Sequence, residues 1–181
     1  MPDPEDPARE KLLDAAERVF YARGIQAVGM DELRAAAGLP LKRIYQLYPG
    51  KDDLVVAFLR RRHIRMMTAI RTRTGQSGDP VLALFDWLGE WFSEPGFRGC
   101  AWLNAYGELG PTNAGVAGEA RRHKQEFRAL LTGLASGYPD EVAHAVYLLA
   151  EGAIAAAAVT GTPEPAFEAR RIAETLLRNA R

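Results

Sequence analysis

A chain of 181 residues, 48% apolar and 25% charged, is long enough to bury a real core, as one domain or as a small module joined to a larger one. Its 23 basic and 23 acidic residues cancel, so the chain as a whole lacks the basic surplus usual in nucleic-acid-binding domains. The single cysteine, Cys100, excludes an internal disulfide and suits a reducing compartment. The balance hides an asymmetry, however. Between Arg34 and Arg73 stand ten Lys or Arg against Asp52 and Asp53 alone, a local charge of +8.

In chain order, residues 1–8 are acidic and proline-rich. They read as a disordered arm, and they lack the basic and apolar regions of a signal peptide. Leu12, Leu13, Ala16, Val19 and Phe20 form a one-sided helical stripe closed by Gly24. A short helix from about Met30 to Ala37 ends at Gly38, and a second from about Leu41 to Leu47 meets Pro49, which cannot continue it. A long helix, 51–73, carries Leu54, Val55, Phe58 and Leu59 inward, with Arg60, Arg61, Arg62 and Arg65 read as a solvated face. Gly75 to Pro80 has linker composition.

Five further helices are expected beyond it. They run from Val81 to Phe92, over 99–109, from about 111 to Ala135, from Asp140 to Thr160 and from Ala166 to Asn179. The stretch 142–159 is strongly apolar but is interrupted by His144 and Glu151, so no membrane span is read. The expectation is an all-α chain of about nine helices. A three-helix module over 9–55 would precede a larger helical domain over 74–181, in a cytoplasmic protein.

Short helix, turn through Gly38 and second short helix is helix-turn-helix spacing. Glycine tolerates the left-handed backbone that swings the second helix across the first, and Ala35, Ala36 and Ala37 allow close approach. More residues agree: Leu13-Asp14-Ala15-Ala16, Val19-Phe20, Met30-Asp31-Glu32-Leu33, Ala36-Ala37-Gly38, and the run from Ile44-Tyr45-Gln46-Leu47-Tyr48-Pro49 to Lys51-Asp52-Asp53-Leu54. In these residues the segment from Arg9 to Arg62 resembles the DNA-binding domain of the TetR family of bacterial regulators. The remaining two thirds resemble such proteins only in helical organisation.

The resemblance implies a dimeric transcriptional regulator, most simply a repressor released from double-stranded operator DNA by a small apolar or amphipathic effector. An activator with the same DNA module is the alternative, and a helical enzyme acting on small hydrophobic molecules is a second. It makes the second short helix the reader of the major groove, with Leu41, Lys42, Arg43, Tyr45 and Gln46 facing DNA. Arg43 and Gln46 suit bidentate base contacts, while Lys42, Tyr45 and Lys51 suit phosphates. Met30 opens the first short helix where such proteins often carry a hydroxyl, and Pro40 stands where Ser is common. Tyr48 reads as core.

In the second part, Phe85, Trp91, Trp102, Phe127 and Tyr147, with the polar Asn104, Tyr106 and Glu151, are candidates to line an effector pocket. Val142, Val146, Leu149, Ala153 and Ala156 repeat at steps of four and three, and Ile172 and Leu176 supply a second stripe. Together they form a candidate seam for a second copy of the chain. His63, His123, His144 and Cys100 have no metal-ligand spacing, and no nucleophile motif or phosphate loop occurs, so neither enzyme nor cofactor is expected.

Overall fold

A computed structural model describes residues 6–180, and among these every regular element is a helix. They are α1 (Pro7–Arg23), α2 (Met30–Ala37), α3 (Leu41–Leu47), α4 (Lys51–Gly75), α5 (Pro80–Phe92), α6 (Ala101–Leu109), α7 (Ala114–Leu134), α8 (Asp140–Thr160) and α9 (Glu164–Asn179). Residues 1–5 of the arm lie outside the described residues. Pro7 and Ala8, assigned to the arm by composition, instead form the first turn of α1. The physical reason is a complete helix start. The Asp6 carboxylate accepts the Ala8 amide at 2.9 Å and Pro7 occupies a position whose N–H would go unpaired anyway.

Two compact units emerge, and neither is a continuous stretch of chain. The first runs to His63 and takes back residues 101–121; the second comprises 64–100 and 122–181. A sequence division near residue 55 or 74 therefore misplaces α6 and the start of α7, which cluster with the helix-turn-helix.

In the first unit, α1 buries Leu12, Leu13, Ala15, Ala16 and Phe20, and its C-terminal Gly24 stands at φ +88°. Leu33 from α2, Ile44 and Leu47 from α3, and Leu54, Val55, Phe58 and Leu59 from α4 complete this core, with the Phe20 and Phe58 rings 6.0 Å apart. Each such side chain contributes about 1.5–3 kcal/mol on full burial.

In the second unit, α9 packs on both α8 and α5. Asp79 caps α5 by accepting the Leu82 amide at 3.1 Å, with Pro80 again in the first turn. Helix α5 comes close to α9 because residue 89 is glycine: a Cβ there would lie 2.9 Å from the Phe167 ring. Helix α8 is long and apolar enough, by length and composition, to cross a membrane. Here it lays Ala143, Val146, Ala150, Ala153, Ile154 and Ala157 inward and packs along α9 and α5.

Candidate functional site

The turn between α2 and α3 explains how α3 is presented. Gly38 adopts the left-handed conformation (φ +59°, ψ +37°), and its amide donates to the Arg34 carbonyl at 2.9 Å, closing α2. Pro40 then starts α3, its carbonyl accepting from the Arg43 and Ile44 amides. Ile44, Leu47 and Tyr48 are buried, which turns Lys42, Tyr45 and Gln46 outward to exposed positions, with Leu41 and Arg43 half-buried at the edge. Tyr45 sets an aromatic ring, 45% exposed, on the outer side of this seven-residue helix. Met30, half-buried, opens α2 behind Gly29, and no side chain caps that end. Lys51 opens α4, half-buried, its ammonium 5.9 Å from the centre of the Phe20 ring.

Charged pairs hold this surface. Arg9 donates to the Tyr48 hydroxyl at 2.9 Å and lies over the same ring. Burial pushes the Tyr48 phenol above its ordinary pKa and outweighs the opposing pull of Arg9. Arg43 donates to the Asp6 carboxylate and, at 3.4 Å, to the Gln46 side-chain oxygen.

Of the four arginines at the middle of α4, Arg60 and Arg65 are exposed as on a solvated face, whereas Arg61 and Arg62 are not. Arg61 is only 12% exposed and reaches Glu10, Asp14 and Glu17 on α1 at 2.8–3.0 Å. Burial opposes its charge, but the hydrogen bonds to Glu10 and Glu17 outweigh that and raise its pKa. Arg62 pairs with Glu17 at 2.7 Å and covers the Tyr21 ring at 4.0 Å. The three α1 carboxylates thus offset three of the local eight positive charges.

Glu108, on α6, completes the first unit in a way the sequence did not signal. One carboxylate oxygen accepts the Ile25 amide at 3.0 Å and the other accepts the Gln26 amide at 2.7 Å. The Gln26 side-chain amide returns the contact by donating to the Glu108 carbonyl. The carboxylate thereby caps the turn that joins α1 to α2.

The candidate effector residues divide between the two units. Trp102, Asn104 and Tyr106 belong to the first; Trp102 is buried, whereas Asn104 and Tyr106 are exposed on α6. Neither Asn104 nor Tyr106 is enclosed as the lining of a pocket would be. Phe85 and Phe127, fully buried in the second unit, serve as core. Trp91 stacks on Trp87 at 5.5 Å and meets Phe97 edge-on at 5.0 Å.

Phe127, Tyr147 and Glu151 do come together. The two rings meet edge to face at 6.3 Å, and Lys124 pairs with Glu151 at 2.5 Å. Burial works against the Lys124 charge, yet its contacts with Cys100 and Glu151 hold its pKa above the ordinary value. Burial and the Glu151 charge likewise raise Tyr147. The second Glu151 carboxylate oxygen is buried without a hydrogen-bond partner. A cavity of about 440 Å³ in this unit is lined by other residues, among them Phe92, Phe97, Arg98 and Pro163.

Of the seam residues, Val146 and Ala153 are buried inside the chain and cannot face a second copy. Of the other expected seam residues on α8, Ala156 is exposed and Val142 and Leu149 are half-buried. The outward apolar face of α8 carries Leu148, 66% exposed, then Gly152, Ala155, Ala156 and Val159, with Val142 and Leu149 at its border. On α9, Ile172 is 51% exposed, and together with Leu176 it lines a surface groove of about 490 Å³.

Residues 12–58 match the family model described as bacterial regulatory proteins, tetR family. The crystal structure of SCO4454, a TetR-family transcriptional regulator from Streptomyces coelicolor, is 31% identical, with a TM-score of 0.86 over 96% of this chain and 95% of that one. This chain belongs to the TetR family. A putative TetR-type regulator from Streptomyces avermitilis is 27% identical over 97% of the chain, with a TM-score of 0.79. Among curated proteins, the transcriptional activator FasR of Mycolicibacterium smegmatis is 38% identical over 92 residues. That match spans 42% of FasR's own length and 47% of this chain. The α2–Gly38–α3 segment is therefore the helix-turn-helix of a TetR-family regulator, and the all-helical remainder follows the same fold.

Proposed function

We propose that the chain is a cytoplasmic transcriptional repressor which binds palindromic operator DNA as a homodimer and releases it when a small apolar or amphipathic molecule binds the second unit. The observation that carries the DNA reading is the presentation of α3: two buried anchors, Ile44 and Leu47, hold a helix whose other face offers Lys42, Tyr45, Gln46 and, from the edge, Arg43. Two copies are needed to read a palindrome, and the uncovered apolar face of α8 and α9 supports their association. The effector would act by population shift, favouring a conformation of the dimer in which the two α3 helices no longer match the half-site spacing. FasR, named as an activator, favours a second reading in which the same DNA contact raises transcription.

The test is selection of duplexes from a random pool, followed by titration at several salt concentrations. Arg43→Ala should weaken the selected site by about 1–3 kcal/mol and relax preference at one position per half-site. Lys51→Ala should weaken all sequences alike and reduce the salt slope by about one per subunit. No selected consensus, or identical salt slopes and base preferences for both variants and the parent, would overturn the assignment.

A further inference from the structure

Arg43 does not stand ready for a base. One end of its guanidinium donates to the Asp6 carboxylate and the other, at 3.4 Å, to the Gln46 side-chain oxygen. A guanidinium that reads a guanine edge uses just such a two-pronged fork, and one N–H on each prong is already given to an acceptor of the protein itself.

The acceptor on Asp6 is also held in place. Its other carboxylate oxygen accepts the Ala8 amide at 2.9 Å as the N-cap of α1, and Pro7 fixes the adjoining backbone. The Asp6 side chain is only 14% exposed, against 41% for Arg43. One carboxylate therefore does two things: it starts α1 and it holds the side chain best suited to base recognition.

We propose that Asp6 competes with operator DNA for Arg43, so that a base must displace the Asp6 carboxylate from the fork before Arg43 can read it. This rests on the reading of α3 as the DNA-facing helix. A sequence offering no acceptors at that position leaves Arg43 on Asp6 and gains nothing from it. The correct sequence exchanges one set of acceptors for another. Gln46, released in the same step, becomes available to a neighbouring base.

Asp6→Asn separates the two roles of the carboxylate, because asparagine caps helices about as well as aspartate but carries no charge to hold a guanidinium. Affinity for the selected operator should rise about threefold to tenfold, the range of a partly exposed ion pair. Affinity for duplexes altered at the Arg43-dependent position should rise by no more than that, because a duplex that leaves Arg43 on Asp6 loses nothing to the pair. In an Arg43→Ala background Asp6→Asn should then change the same affinities by less than twofold. Thermal melts of the variants check that α1 is intact, and Asp6→Ser, another capping residue without charge, must reproduce the gain.

An unchanged or weakened affinity in Asp6→Asn and Asp6→Ser alike would overturn the competition. So would an equal gain with and without Arg43, which would make the effect simple removal of a negative charge near DNA. A parent protein that selects no duplex would instead remove the DNA reading itself, and this inference with it.

Discussion

Removing the Glu108 carboxylate should loosen the turn between α1 and α2 without touching α3. Two backbone amides depend on it, Ile25 at 3.0 Å and Gln26 at 2.7 Å. Hydrogen bonds to a charged acceptor contribute about 1.5–3 kcal/mol each when partly buried, and a buried amide left unpaired costs a similar amount. The Gln26 amide is exposed and can turn to water, so most of the loss comes from the part-buried Ile25 amide. Glu108→Ala should therefore cost about 2 kcal/mol, and Glu108→Gln, which keeps one oxygen acceptor, about half of that. In a chain of this size 2 kcal/mol lowers Tm by roughly 4–8 °C. Amide hydrogen exchange reads the cause directly: protection at Ile25 and Gln26 should fall in the order parent, Gln, Ala. Unchanged protection at those two amides in Glu108→Ala would refute the account, whatever the Tm did.

Two other expectations follow from the geometry. Leu148→Glu places a charge on the outward face of α8, so sedimentation at micromolar concentration should show a dimeric parent and a monomeric variant; Val146→Ala, inside the chain, should lower stability by about 1–3 kcal/mol and leave association unchanged. Stability should also fall as pH rises above about 10, because Tyr48, Tyr147 and Lys124 keep their protons in the folded state beyond the pH at which the unfolded chain releases them, from ordinary values of 10.0 and 10.5. Melts between pH 8 and 11 check this, and a Tyr48→Phe chain should show a shallower decline than the parent.

What the sequence revealed and what it hid divide along the range of the interactions. Helix ends set by local chemistry were legible: Gly24, Gly38 and Gly161 close their helices with positive φ, where only glycine is at ease. The α2–α3 turn and the burial of Tyr48 were legible for the same reason. Long-range charge pairing was not. Arg61 and Arg62 look like a solvent face until α1 brings Glu10, Asp14 and Glu17 against them. Asp6-Pro7 was a visible helix start, a capping residue before proline, but the acidic composition around it drew attention to disorder instead. On α8 the alternation of steps gave a buried seam, yet alanine-rich sequence offers apolar residues on nearly every side. Only the packing of α9 and α5 decides which face turns inward.

The assignment of residues 101–121 to the same unit as α1–α3 has a consequence for the order in which the protein is made. A ribosome delivers the whole helix-turn-helix early. The carboxylate that caps its first turn arrives only with Glu108, and the last of that unit follows at Arg121. At about 5–20 residues per second, the roughly sixty residues after His63 take about 3–12 s to synthesise. During that interval the nascent head holds the turn between α1 and α2 without its cap. A gene truncated after α4 would freeze the chain in that unfinished condition, so the DNA-reading part of this protein is not a cassette that can be cut out by its sequence boundaries.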